Sequence, residues 1–150
     1  MGYRRDVAYI IRVDTIEKAK EFVALVRLKG GIVFDALKEC QVEVHKDDNG
    51  GLVDFNFYCG DVKWYDGYDE VDGHNELLAF VADEFNECAA YRFIRLGEND
   101  DDVEILTGGN SDLDPWEEFY IHRSINIPFS YVNGTGDKIT ELDSLIGDKQ

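Results

Sequence analysis

Between Leu96 and Gly109 the chain reads LGENDDDVEILTGG, which gathers Glu98, Asp100, Asp101, Asp102 and Glu104. Carboxylates at that density can hold a hard cation, stand in for phosphates, or keep a turn wet. Calcium loops need oxygen ligands at fixed offsets, as in D-x-[DN]-x-[DN]-G-x5-E. Three consecutive aspartates cannot all point inward from a tight turn. The second acidic run, DGYDEVDGHNE (66–76), lacks Gly and Glu at the required places. The spacing therefore predicts no metal site, and a solvated hairpin turn is the commoner outcome of such runs.

Other chemistry is equally sparse. His45, His74 and His122 form no HxxxH or HxH pair, so zinc would need three separate elements to converge. Cys40, Cys59 and Cys88 are odd in number, widely spaced and without a CxxC. Cys59 and Cys88 fall on apolar faces of their elements, where thiols are inert. GxGxxG, GxxxxGK[ST] and GxSxG are absent, and the GTG at 134–136 is too short to imply a phosphate site. No catalytic set, cofactor or metal follows.

Aromatic residues among acids carry more. DVKWYDGYDEVD (61–72) sets Trp64, Tyr65 and Tyr68 beside Asp61, Asp66, Asp69, Glu70 and Asp72. DLDPWEEFY (112–120) repeats the composition with Trp116 beside Asp112, Asp114, Glu117 and Glu118. Large rings beside fixed charges are what protein interfaces contain. The competing reading has Trp64 and Trp116 plugging two ends of the core while the acids solvate loops.

The elements that must position these residues are legible from periodicity. DVAYIIRV (6–13) is apolar on both sides and reads as a central strand. Asp14, with Glu17 three residues on, is the expected N-cap of a helix carrying Ile16, Ala19, Phe22, Val23 and Val26, which Gly30-Gly31 ends. Residues 32–40 fit either a short helix or an irregular connection. QVEVH and LVDFNFYCGDV flank Asp48-Asn49-Gly50-Gly51 as a hairpin. A helix is expected over 74–88 on Leu77, Leu78, Val81 and Phe85, then a second hairpin from 90–96 and 102–106. EFYIHRSINIPF (118–129) alternates as one long strand with Arg123 on its apolar side, and residues 130–150 read as a mobile tail. The expected fold is α+β: a ferredoxin-like βαββαβ sandwich, helices on one face, with one or two antiparallel strands added, in one domain over 1–129.

A chain of 150 residues buries about 68–70% of its unfolded surface, and 44% apolar content excludes an acidic disordered chain. The net charge of -17 repels nucleic acid and anionic membranes and favours basic partners. The charge is also lopsided. Residues 1–30 hold seven Lys/Arg and four Asp/Glu, a net of +3, whereas 61–118 hold three and eighteen, a net of -15. No apolar run of about 20 residues is read, and the expected location is the cytoplasm.

MGYRRDVAYIIR (1–12), DVKWYD (61–66) and YRFIRLGE (91–98) together resemble a group of small acidic proteins encoded by tailed bacteriophages and prophages, over roughly residues 1–98. Members open on MGYRS-like residues, and Arg5 stands here in place of the usual Ser. The resemblance implies a non-virion accessory protein in an infected bacterium and transfers no catalytic residue.

The leading expectation is a non-enzymatic protein whose acidic flank, residues 61–72 and 98–118, docks on a basic or nucleic-acid-binding host protein, in the sharpest version by imitating DNA. The alternative is a small enzyme or small-molecule binder in which Arg12, Arg92, Arg95, Arg123 and the histidines line one pocket. A third is a homodimer paired through the strand over 118–129.

Overall fold

The computed structural model describes residues 5–45, 51–62, 64, 67–97, 103–115, 119–122, 124–126 and 137–138. The order is β1 (Arg5–Val13), α1 (Ile16–Lys29), α2 (Gly31–Lys38), β2 (Gln41–His45), β3 (Leu52–Val62), α3 (Asp69–Glu84), β4 (Ala89–Leu96) and β5 (Val103–Gly109). A 3-10 turn (Ser111–Leu113), β6 (Tyr120–His122), β7 (Ser124–Asn126) and β8 (Asp137–Lys138) complete it. The chain is α+β, with three helices and an antiparallel sheet in the order β5-β4-β1-β3-β2-β8.

β1 is central, as its two-sided apolar pattern requires. Val7, Tyr9, Ile11 and Val13 point toward the helices and join the main core with Phe22, Leu37, Phe55, Leu77 and Val81. Ala8 and Ile10 point the other way, into a smaller cluster with Ile94 and Phe119. Burial of both faces holds β1 between β3 and β4 in unbroken register from Val7 to Val13.

The helices depart from expectation at their ends. Thr15, not Asp14, caps α1: its hydroxyl accepts from the Lys18 amide at 3.1 Å, while the Asp14 amide donates to the Cys88 carbonyl. Residues 31–38 are helical, because Ala36 and Leu37 bury one side against the core. Gly73 lets α2 lie close on α3, since a Cβ there would stand 2.4 Å from the Ile32 carbonyl oxygen. α3 begins at Asp69, five residues before the expected start, because Val71 is already part of its buried side.

The region 118–129 is not one long strand. β6 and β7 pair with each other, Tyr120 against Asn126 and Ile121 against Ile125, so the alternation belongs to a tight hairpin. Past residue 129, β8 returns to pair with β2, Lys138 against Gln41. Of the expected turn at 48–51 only Gly51 is described, with φ +103, and most of the tail over 130–150 lies outside the described residues.

Candidate functional site

Three groups of side chains carry the chemistry of the described chain. The first lies on the sheet face opposite the helices, where cross-strand pairing brings Glu43, Asp54 and Arg12 into one row. Asp54 is buried and takes both prongs of Arg12, Nε to Oδ1 at 2.8 Å and Nη2 to Oδ2 at 2.9 Å. His45 Nε2 reaches Asp54 Oδ2 at 3.0 Å and Glu43 Oε1 at 3.2 Å. Burial alone would raise the Asp54 carboxyl. The hydrogen bonds from Arg12 and His45, with their charges, outweigh it and hold Asp54 below the usual carboxylate range. The same Asp54 hydrogen bond raises His45.

Glu43, His45 and Asp54 offer ligand atoms within 4.8 Å of one another, the spacing a divalent metal uses. Arg12 already supplies the countercharge at both Asp54 oxygens. The group is therefore a chain of alternating charge, complete without a cation.

The second group is internal. Tyr9 Oη lies 2.6 Å from His74 Nδ1 and 3.5 Å from Cys40 Sγ, and His74 Nε2 lies 3.3 Å from Glu39 Oε1. His74 is only 1% exposed and packs its ring on Phe57, centroids 4.1 Å apart. A Cys, a Tyr and a His in series are the parts of a nucleophile relay. Burial, however, pushes the Cys40 thiol up to about 12, so the thiolate is inaccessible at neutral pH. Burial also raises Cys59 and Cys88. Sequence reading missed this series, because Tyr9 is 31 positions from Cys40 and 65 from His74.

The third group contains the acids. Tyr68, 55% exposed, caps the start of α3, and Asp69 and Glu70 stand exposed in its first turn. Gly67, Tyr68, Asp69 and Glu70 line an open depression of about 520 Å³. Asp72 turns back to accept from the Gly67 amide at 3.1 Å. Acids at a helix N-terminus complement its dipole, which accounts for their helical placement. Among the described residues, no Lys or Arg forms an ion pair with Asp69 or Glu70.

The expected acidic flank divides. Val62 lies opposite Arg5 and Leu96 opposite Asp6, so β3 and β4 finish at the same end of the sheet, where α3 begins and β5 starts. Asp112 follows β5 at the other end, where Ala90 faces Gly109. Asp114 is withdrawn from docking altogether: it accepts from Arg92 Nη1 at 2.9 Å and is partly buried. Trp64 packs against the core, its ring 6.2 Å from Phe57 and 6.3 Å from Phe93, and so plugs the sheet end as the competing reading had it. The side chain of Asp61, and residues Tyr65, Asp66, Glu98, Asp100, Asp101, Asp102, Trp116, Glu117 and Glu118, lie outside the described residues.

Of the residues of the pocket alternative, Arg12 and His45 meet on Asp54, and the others do not join them. Arg12 and Arg92 are on the outer face with Asp54 and Asp114, while Arg95 is on the helix side with Glu104 at 3.2 Å. His74 is on the buried side of α3, and Arg123 lies outside the described residues. No described helix is long and apolar enough to cross a membrane. No family model, curated protein or solved structure matches the chain.

Proposed function

We propose that this chain is a non-enzymatic binding protein that docks an acidic sheet end on a basic, nucleic-acid-binding partner. One observation carries the reading. Asp69 and Glu70 face solvent beside an exposed Tyr68 and, among the described residues, pair with no Lys or Arg. Glu76, Asp83 and Glu87 extend this exposed, cation-free row along α3 and just past its end, whereas Asp114, Glu104 and Glu84 are held by Arg92, Arg95 and Lys29. Uncompensated surface charge of one sign steers partners of the opposite sign and rejects nucleic acid itself.

In the finer version the partner is a host protein in a phage-infected bacterium, met in its cytoplasm, and the carboxylates occupy the place of DNA phosphates. The strand order β4-β1-β3-β2, with α1 and α3 in the two crossovers, supports a ferredoxin-like sandwich carrying β5 and β8 as additions.

The test is affinity purification of the tagged chain from bacterial lysate at about 50 mM and about 300 mM salt, across which screening strengthens markedly. Basic proteins retained at low salt and released at high salt support the reading. Retention indifferent to salt, or of acidic proteins alone, opposes it.

A further inference from the structure

β5 is the outermost strand on its side of the sheet. Its inner edge pairs with β4 in regular register from Ala90–Gly109 to Leu96–Val103, and no second strand among the described residues pairs with its outer edge. Val103, Ile105 and Leu106 are 38%, 46% and 44% exposed, large apolar side chains left partly open to solvent. Every second residue of such a strand turns its N–H and C=O outward, where another chain can take them.

Proteins that must keep an edge unpaired blunt it with Lys, Pro, a bulge or an inward-pointing charge. β5, VEILTGG, has no Lys, Pro or bulge. Its one charge, Glu104, is engaged by Arg95 Nε at 3.2 Å. The edge is long, regular and apolar.

Charge selects the occupant. From residue 96 to 122 the chain holds no Lys or Arg, while Glu98, Asp100, Asp101 and Asp102 precede β5 and Asp112 follows it. Two copies paired antiparallel about a two-fold axis would set the acids that precede β5 in one chain toward Asp112 of the other, like charge toward like. We infer that the β5 edge is a strand-addition site for an extended segment of a partner protein, apolar at alternate positions and carrying Lys or Arg at its ends. Main-chain hydrogen bonds would supply affinity, Val103, Ile105 and Leu106 the side-chain contact, and the flanking acids the preference for basic ends. Seven strand residues span about 23 Å, enough for a segment of similar length. This inference rests on the docking reading above and adds to it the mode of recognition.

The test uses a fluorescein-labelled synthetic peptide of alternating Val and Thr flanked by lysine pairs, read by anisotropy and by amide exchange of the full chain. One control exchanges the lysines for glutamates. A second N-methylates alternate backbone amides, which leaves charge intact and removes donors. Expected are binding of the lysine peptide, protection of amides within 103–109, and about tenfold weaker binding, or 1.4 kcal/mol, on N-methylation. Ile105→Lys, at a position 46% exposed, should weaken binding similarly while the amide exchange of β1 and β4 stays that of the parent.

Lysine-peptide binding that ignores N-methylation and leaves β5 unprotected overturns strand addition while the acidic docking reading survives. Equal binding of the glutamate peptide overturns the basic occupant. Protection of β5 without peptide, in a concentration-dependent dimer, assigns the edge to a second copy and overturns it. No binding of the lysine peptide at any salt overturns strand addition, while the docking reading stands or falls on the salt-dependent retention of basic proteins.

Discussion

Arg12 and Asp54 face each other across β1 and β3 and meet in a two-pronged contact of 2.8 and 2.9 Å, both side chains buried on the sheet face away from the helices. A buried pair of this kind is costly to break from one side, because the surviving charge keeps its desolvation penalty without a partner. Asp54→Asn should therefore destabilise the fold by about 3–5 kcal/mol in urea unfolding. The double replacement Arg12→Met, Asp54→Leu should recover most of that loss. A single variant within about 0.5 kcal/mol of the parent would show that the pair is solvated.

The same cluster sets a pH dependence. The Asp54 hydrogen bond, outweighing partial burial, lifts His45 above its ordinary 6.5. A raised folded-state value means that protonated His45 contributes stability fully below pH 6.5 and loses it as pH rises through the folded value. Asp54 has the opposite sign: its folded value lies below the ordinary 3.8, so its contribution is present above 3.8 and is lost as pH falls through the folded value. Between those windows both contributions are present. Urea midpoints of the parent should decline above pH 6.5 more steeply than those of His45→Gln, and parallel curves would contradict the assignment.

Tyr9 Oη and His74 Nδ1 share a hydrogen bond of 2.6 Å in a buried site. Tyr9→Phe keeps the ring and its stacking on Phe57 and removes only the hydroxyl. Leaving the buried imidazole nitrogen without its hydrogen-bond partner should cost about 1–3 kcal/mol, measured by thermal or urea unfolding. A neutral substitution would mean that the series of Cys40, Tyr9 and His74 contributes nothing to the fold.

Two glycines separate backbone conformation from crowding. Gly109 has φ +87 and would place a Cβ 2.2 Å from the Ala89 carbonyl oxygen, whereas Gly67 has φ +99 with nothing within 4 Å. Both alanine variants suffer the conformational cost of about 1–3 kcal/mol, but only Gly109→Ala must also push β5 off β4. Amide exchange over 103–109 should accelerate in Gly109→Ala and stay unchanged in Gly67→Ala. Equal effects would remove β5 from this account of close packing.

Much of the fold was legible because burial writes a period into the sequence. β1, apolar on both sides, announced a central strand, and Val53, Phe55 and Phe57 announced the helix-facing side of β3. The hairpin at 120–126 reads as a single strand from sequence because its two strands continue one alternation, and periodicity does not say where a chain reverses. Residues 32–40 fit a helix or an irregular connection equally from sequence, because the eight residues of α2 carry barely two turns of pattern. The acidic composition was plain, yet its division was not. Asp114 and Glu104 find arginines only through strand register, and Tyr9, Cys40 and His74 meet only through packing. Contacts of long sequence separation leave no local signal.

The most direct measurement of the central claim takes a partner recovered from lysate, purifies it, and follows its affinity for this chain across salt. The parent is compared with a variant carrying Tyr68→Ala, Asp69→Asn and Glu70→Gln, all at exposed positions at the start of α3. If the acidic sheet end docks the partner, the parent's affinity falls steeply with salt, and the variant binds about tenfold more weakly at low salt with a shallower slope. Identical affinities and slopes for the two proteins would contradict the account.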